Sequence, residues 1–490
     1  MKALLIVAAA VTVILIIAAV IWGKRHARRL QRERRIHIDR FKLKRRHADI
    51  ELEVFGSREV VQAVQSYAKE HHVSIDAATK QAKTYLYEIV PKFNLLAYYR
   101  IGAPVARAIM RFLYWPVIEA KPIREFTEKA PKGSVVVYII NHRSNADYVL
   151  LAYMLFRFIS LSYAIGEWAR VWPLNHVFKW FGGYFVRRRY REPLYHTVLA
   201  KFVQTITKNG VTQGVFIEGG LSRDGAFLKP KLGMLDYLVT AKRDHEFSAP
   251  LFIVPTAVNY DRVLEDRNLT EELLGREERS TRGQKLKTTF QYLFKSTFRG
   301  IVKRFKRYGY AIVTFGNPIS VDDFVREHPA AVSHTFDERK PELQRLADLV
   351  MNEISGAIAI TPVTLVATVL TRRKMVAQRE MPSEIAKLRE EWRARPYLLR
   401  EKNEAEIWET ARKVLELRRL IIRVDQWHDE LFDEGGISSI EDAWQWNPDE
   451  LLLRDYYANA LVPFDEVKRR GWPERKHDAK AVAARAAATV

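Results

Sequence analysis

Val135-Val136-Val137-Tyr138-Ile139-Ile140-Asn141-His142-Arg143-Ser144-Asn145-Ala146-Asp147 runs from an apolar stretch into a polar turn that sets an imidazole and a carboxylate five residues apart. The apolar run reads as a strand, with His142 at its end and Asp147 in the first turn of a following helix capped by Ser144 or Asn145. Those two groups are what deprotonation of an alcohol needs. A neutral imidazole has an unperturbed pKa of about 6.5 and accepts a proton near neutrality. A carboxylate beside it orients the ring and stabilises the imidazolium. The spacing alone is weak evidence, since thirteen histidines in a chain of this make-up predict roughly half a chance match. His71/Asp76 and His428/Asp433 have the same spacing, but both sit in charged, helix-like sequence with no strand before them, and they read as solvated surface.

Order along the chain separates His142/Asp147 from these decoys. Gly182-Gly183-Tyr184-Phe185-Val186-Arg187-Arg188 follows, then Phe216-Ile217-Glu218-Gly219-Gly220, then Ile253-Val254-Pro255. From Pro131 onward, short apolar runs at 135–140, 161–165, 184–186, 214–217, 251–258 and 310–314 alternate with helical stretches. That alternation predicts an α/β fold, a mixed sheet flanked by helices. No Gly-x-Ser-x-Gly elbow is present, which favours direct attack by an acceptor hydroxyl over a covalent serine route. A phosphate-bearing acceptor needs cations at a fixed distance from the base, and the planar guanidinium of arginine holds phosphate bidentately.

The ordered blocks resemble those of the glycerophospholipid acyltransferases. His142-Arg143-Ser144 with Asp147-Tyr148, and Glu218-Gly219-Gly220, look most like the glycerol-3-phosphate and dihydroxyacetone-phosphate branch. Pro230-Lys231-Leu232-Gly233, Thr314-Phe315-Gly316-Asn317-Pro318-Ile319 and 361–367 extend the resemblance over roughly residues 130–370. It implies transfer of a fatty acyl group, from acyl-CoA or acyl carrier protein, to the sn-1 hydroxyl of glycerol 3-phosphate. Lysophosphatidate and dihydroxyacetone phosphate are the alternative acceptors, and a non-catalytic basic membrane adaptor is the rival from another class. The resemblance assigns catalysis to His142 and Asp147, and acceptor contacts to Arg143, Ser144, Gly182, Gly183, Arg187, Arg188, Glu218, Gly219, Gly220, Arg223 and Lys231. Pro255 is assigned to the acyl-chain wall. No metal or other cofactor is implied. One departure stands out: where the family usually has Glu-Gly-Gly-Arg-Ser-Arg, this chain has Glu218-Gly219-Gly220-Leu221-Ser222-Arg223.

The chain has 490 residues, 48% of them hydrophobic, and no cysteine, so a disulfide framework, a thiol nucleophile and a cysteine metal site are excluded. Ala3 to Trp22 carry no charge, and at about 1.5 Å per residue such a helix covers the roughly 30 Å hydrocarbon core. Twelve Lys or Arg follow between Lys24 and Arg46. By the positive-inside rule they place the rest of the chain on the cytoplasmic face of the cell inner membrane. The net charge of +22 then points to anionic lipid rather than nucleic acid, for which no motif is present. The expected organisation is an anchor at 1–23, a basic juxtamembrane segment at 24–48 and a helical, partly amphipathic region at 49–130. A catalytic domain at 131–372, a C-terminal helical region at 373–475 and a disordered tail at 476–490 complete it.

Overall fold

The computed structural model describes residues 47–91, 102–119, 121–155, 162–166, 179, 183–187, 190–273, 307–396, 399–427 and 441–472. The expected anchor, nearly all of the basic segment after it, and the tail lie outside the described residues. Among the described residues, no single helix is long and apolar enough to cross a membrane.

Three helices open the described chain: α1 (His47–Phe55), α2 (Arg58–Glu70) and α3 (Ile75–Ile89). α2 buries Val60, Val64 and Ala68 along one four-residue stripe. α3 begins where the Ser74 side chain accepts the Ala77 amide and buries Ala78, Ala82, Tyr85, Leu86 and Ile89. α4 (Ala103–Leu113), β1 (Trp115–Ile118) and α5 (Lys121–Lys129) follow. Within the expected helical, partly amphipathic region, the described residues around Pro116 form a strand rather than a helix. β1 lies at the sheet edge, hydrogen-bonded to a neighbour on one side only, where a missing N–H is tolerated.

The remaining elements of the main sheet are β2 (Val135–Ile140), α6 (Asp147–Leu155), β3 (Ser162–Gly166), β4 (Gly183–Val186), α7 (Pro193–Lys208), β5 (Gln213–Phe216), α8 (Leu232–Thr240), β6 (Leu251–Tyr260), α9 (Asp266–Leu273), β7 (Tyr310–Phe315) and β8 (Ile319–Ser320). Strand order is β1-β7-β6-β2-β5-β3-β4, with β8 also on β6. β2 runs parallel to both β5 and β6, and β3 and β4 continue the parallel set, whereas β6 meets β7 and β8 antiparallel. The sheet is therefore mixed, as its alternating pattern predicts, and each expected run coincides with a strand to within one or two residues. β2 is apolar throughout because neighbours cover both of its faces.

After β8 come α10 (Val321–Glu327), α11 (Phe336–Ala357), α12 (Pro362–Arg373), β9 (Met375–Ala377), α13 (Met381–Glu391), α14 (Glu404–Leu417), β10 (Ile421–Trp427), β11 (Glu441–Trp446), α15 (Leu451–Asn459) and α16 (Phe464–Arg470). The C-terminal region is thus not helical throughout. β10, β11 and β9 form a three-stranded antiparallel sheet, and Trp444 and Trp446, two positions apart, are both buried, Trp444 edge-on to Trp408. α12 packs against α13, α14 and α15, and among the described residues one large core takes in side chains from Val54 to Phe464, with a small separate cluster of Tyr310, Ile312 and Ala359. The expected division at residues 131 and 372 does not divide that core.

Candidate active site

Parallel strands deliver their carboxyl ends to one edge of a sheet, where ligands of open α/β folds bind. At that edge the chain leaves β2, turns through 141–146 and enters α6, whose first residue is Asp147. Asp147 is fully buried and each of its oxygens is engaged. Oδ2 lies 2.9 Å from His142 Nδ1 and accepts the backbone N–H groups of Arg143 at 2.8 Å and Ser144 at 3.1 Å. Oδ1 accepts the Tyr260 hydroxyl at 2.6 Å from the end of β6. The His142 ring, 2% exposed, stacks on Phe216 with centroids 4.1 Å apart and meets the edge of Tyr148 at 5.5 Å. Those contacts hold the tilt of the ring.

Glu218 supports the same turn from beneath. Its Oε2 accepts the His142 backbone N–H at 3.1 Å and its Oε1 that of Leu228 at 3.2 Å. Burial raises its pKa to about 7, partly opposed by the charge of Arg143. Burial likewise raises Glu265 to about 7, and its Oε2 accepts the Ser144 hydroxyl at 2.8 Å. Ser144 Oγ in turn accepts the Ala146 N–H at 3.0 Å, so the hydroxyl holds the turn before α6 rather than capping the helix as expected.

His142 and Asn145 line a cleft of about 590 Å³ together with Val186 at the end of β4, Arg187 just past it, and Gly219, Gly220, Leu221 and Arg223 after β5. Lys231 and Met234 line it from the start of α8, His196 and Leu199 from α7, and Leu269 and Glu272 from α9. Gly219 has φ +64°, and a Cβ there would lie 3.0 Å from Lys231 Cγ, so a glycine is needed where the loop passes the lysine stem. The cations come with carboxylate partners: Arg187 Nε is 2.8 Å from Glu88 Oε1, and Arg223 Nε is 2.7 Å from Glu272 Oε2.

Four expected acceptor contacts and the acyl-wall residue are placed differently. Arg143, Ser144, Gly183, Glu218 and Pro255 are not on the cleft surface, while Gly182 and Arg188 lie outside the described residues. Arg143 is buried, its guanidinium bonded to the carbonyls of Gly225 and Ala460. Ser144 and Glu218 are used up in holding the turn. Gly183 is buried at the start of β4, opposite Tyr163. Pro255 lies within β6, opposite Ile139 of β2, and its carbonyl accepts the Gly316 N–H at 2.9 Å on the side where β8 gives way to β7. A missing N–H falls harmlessly at that break in the ladder.

The Acyltransferase family description matches residues 123–259, and that of the glycerol-3-phosphate acyltransferase C-terminal region matches residues 294–464. The glycerol-3-phosphate acyltransferase of Aeromonas hydrophila is 30% identical over 329 residues, which are 65% of this chain and 39% of that protein. Its counterpart in Haemophilus influenzae is 27% identical over 358 residues, 70% of this chain and 42% of that one. Over these regions the chain is similar to the glycerol-3-phosphate acyltransferases. It spans about two fifths of the length of the curated relatives it matches. A solved 1-acyl-sn-glycerophosphate acyltransferase from Thermotoga maritima, 16% identical, aligns over 59% of this chain and 93% of that one with a TM-score of 0.30, a superposition too loose to argue from.

Several residues around the His142–Asp147 pair escape a reading of the sequence: Tyr260, Glu265, Glu272, His196 and Glu88. None belongs to a motif, and all but His196 reach the site by contacts between residues far apart in the chain. For Tyr260 the only signal is its place at the end of the apolar run that begins at Leu251.

Proposed function

We propose that this chain transfers an acyl group from a thioester, acyl-CoA or acyl carrier protein, to the sn-1 hydroxyl of glycerol 3-phosphate, yielding lysophosphatidate. The observation that carries the reading is the buried His142–Asp147 pair opening onto a cleft that also presents Arg187, Arg223 and Lys231. With Nδ1 committed to Asp147, proton transfer falls to Nε2. It takes the hydroxyl proton as the oxygen attacks the thioester carbonyl, and the imidazolium returns that proton to the departing thiolate. Asp147 stabilises the imidazolium without itself being protonated. The half-exposed guanidinium of Arg223 suits the acceptor phosphate, and the apolar side of the cleft, with Val186, Leu199, Phe216, Met234 and Leu269, suits the start of an acyl chain. No metal or other cofactor enters the scheme.

Leu221 favours a second reading. It lines the cleft at the position where the family usually carries an arginine, so another alcohol, such as lysophosphatidate or dihydroxyacetone phosphate, is the competing acceptor. Purified protein in detergent, offered each acceptor with each donor and followed by product mass, separates the two. Lysophosphatidate made from glycerol 3-phosphate is expected. Exclusive use of another alcohol replaces the acceptor, and no transfer to any of them returns the chain to the adaptor reading.

In the same proposal residues 1–23 span the inner membrane and 24–46 lie on anionic headgroups, with the cleft on the cytoplasmic side. Deletion of 1–23 should leave binding to anionic vesicles that salt releases, because the Debye length falls from about 10 Å at 0.1 M to about 3 Å at 1 M. Binding that survives 1 M salt would place a second insertion, within 93–120.

A further inference from the structure

Arg143 is the residue beside the candidate base, yet its side chain turns away from the cleft into a nearly closed site, 3% exposed. A buried guanidinium is costly unless its donors are satisfied. Here they are satisfied by main-chain carbonyls from two remote segments. One donor goes to Gly225 O in the loop after β5, and Nη2 is 3.3 Å from Ala460 O just past α15.

The same three segments meet at further points. Asn459 Nδ2 donates to Asp224 O at 2.9 Å, and the Ser222 N–H reaches His142 O at 3.4 Å. Gly225, at φ +80°, packs so closely against α15 that a Cβ would lie 1.8 Å from Tyr456 O. Glu218, whose acidity the Arg143 charge increases, accepts the His142 N–H. The turn that carries His142 is therefore clamped between the loop after β5 and the C-terminal helix, and Arg143 bonds to both.

We propose that Arg143 is a positioning residue through which the C-terminal segment 456–460 holds His142 at the angle it needs toward the cleft. The proposal rests on the reading of His142 as the base. It gives the C-terminal region a part in the reaction without any contact with substrate, and it separates Arg143 from the arginines that face the acceptor.

The test is steady-state kinetics of the full chain in detergent. Arg143→Ala should lower kcat about 10²-fold, the cost of an ångström-scale misplacement, and leave the KM for glycerol 3-phosphate within about twofold. Millimolar guanidinium should restore part of kcat. Methylammonium should not, since a point charge does not bond two carbonyls in one plane. Arg143→Lys and Asn459→Ala should lower kcat less, again with KM unchanged, and they carry the test if Arg143→Ala fails to fold. A KM raised tenfold or more with kcat retained would make Arg143 an acceptor contact and overturn the proposal, as would wild-type kinetics in these variants. If the unsubstituted chain transfers no acyl group, it is the functional reading that has failed. The clamp is then judged by ¹⁵N-histidine NMR, in which Arg143→Ala must shift the His142 ring signals or the clamp falls as well.

Discussion

The turn at 141–147 and the cationic rim of the cleft are separated by the width of one cleft, yet they are built in opposite ways. In the turn, His142, Arg143, Ser144 and Asp147 are all buried, and each is pinned by hydrogen bonds to neighbouring backbone or side chains. On the rim, Arg187 and Arg223 are partly exposed and pair with single carboxylates, Glu88 and Glu272. Buried polar groups with every partner in place hold one geometry, because breaking any bond leaves an unsatisfied group. Exposed ion pairs contribute little and exchange partners readily. On the proposed function the turn would serve rate and the rim would bind an anion, so substitutions in the two should separate kcat from KM.

The largest effect is expected at the base. His142→Ala should lower kcat by about 10²–10⁴ with membrane attachment and fold intact, and Asp147→Asn should be less complete but severe. His71→Ala is the control, since His71 bonds Tyr67 O and stacks on the Tyr67 ring at 4.0 Å, away from the cleft. Wild-type turnover in His142→Ala would break the comparison at its root.

Tyr260→Phe sharpens it. Loss of a hydrogen bond to a carboxylate is worth about 1.5–3 kcal/mol, so kcat should fall on the order of tenfold or more. With Asp147 Oδ1 no longer accepting the phenol, its charge acts more fully on the imidazole. The acid limb of the kcat profile should move to higher pH, and an unmoved limb would reduce Tyr260 to packing.

Effects on the rim should be smaller and confined to KM. Arg223→Ala is expected to raise the KM for glycerol 3-phosphate several-fold. Leu221→Arg should lower it and rescue Arg223→Ala, a coupling that a double-mutant cycle measures. Glu272→Gln should lower KM too, by removing the carboxylate that competes for Arg223. A loss of kcat in any of these would erase the distinction between rim and turn.

The smallest effect concerns stability. Glu218 is raised in the folded chain to about 7 from an ordinary value of 4.5. The neutral acid is thus favoured by folding, and the stability it contributes is fully present below about pH 4.5 and lost as the pH rises through about 7. Glu265 acts in the same window. Thermal unfolding of Glu218→Gln should show a flatter fall between pH 5 and 7.5 than the unsubstituted chain, and an identical slope would mean that Glu218 is not raised.

The main sheet and the place of His142 and Asp147 are legible in the sequence because a strand covered on both faces must be a short apolar run, and the base must stand where that run stops. The three-stranded sheet at 375–446 is not legible, since its strands are short and lie amid charged helix-forming residues. Arg143, Glu218 and Arg223 look alike as polar residues next to motif glycines or the base, and folding sends them in three directions: into a clamp, under the turn and onto the cleft. The linear chain determined which chemistry is gathered at the carboxyl ends of the strands. Only the tertiary structure decided which polar groups face substrate, because that depends on partners such as Ala460, 317 positions from Arg143, and Tyr260, 113 from Asp147. Whether a side chain points inward or outward is settled by whether a distant segment satisfies its hydrogen bonds, and neither periodicity nor spacing within the chain encodes that.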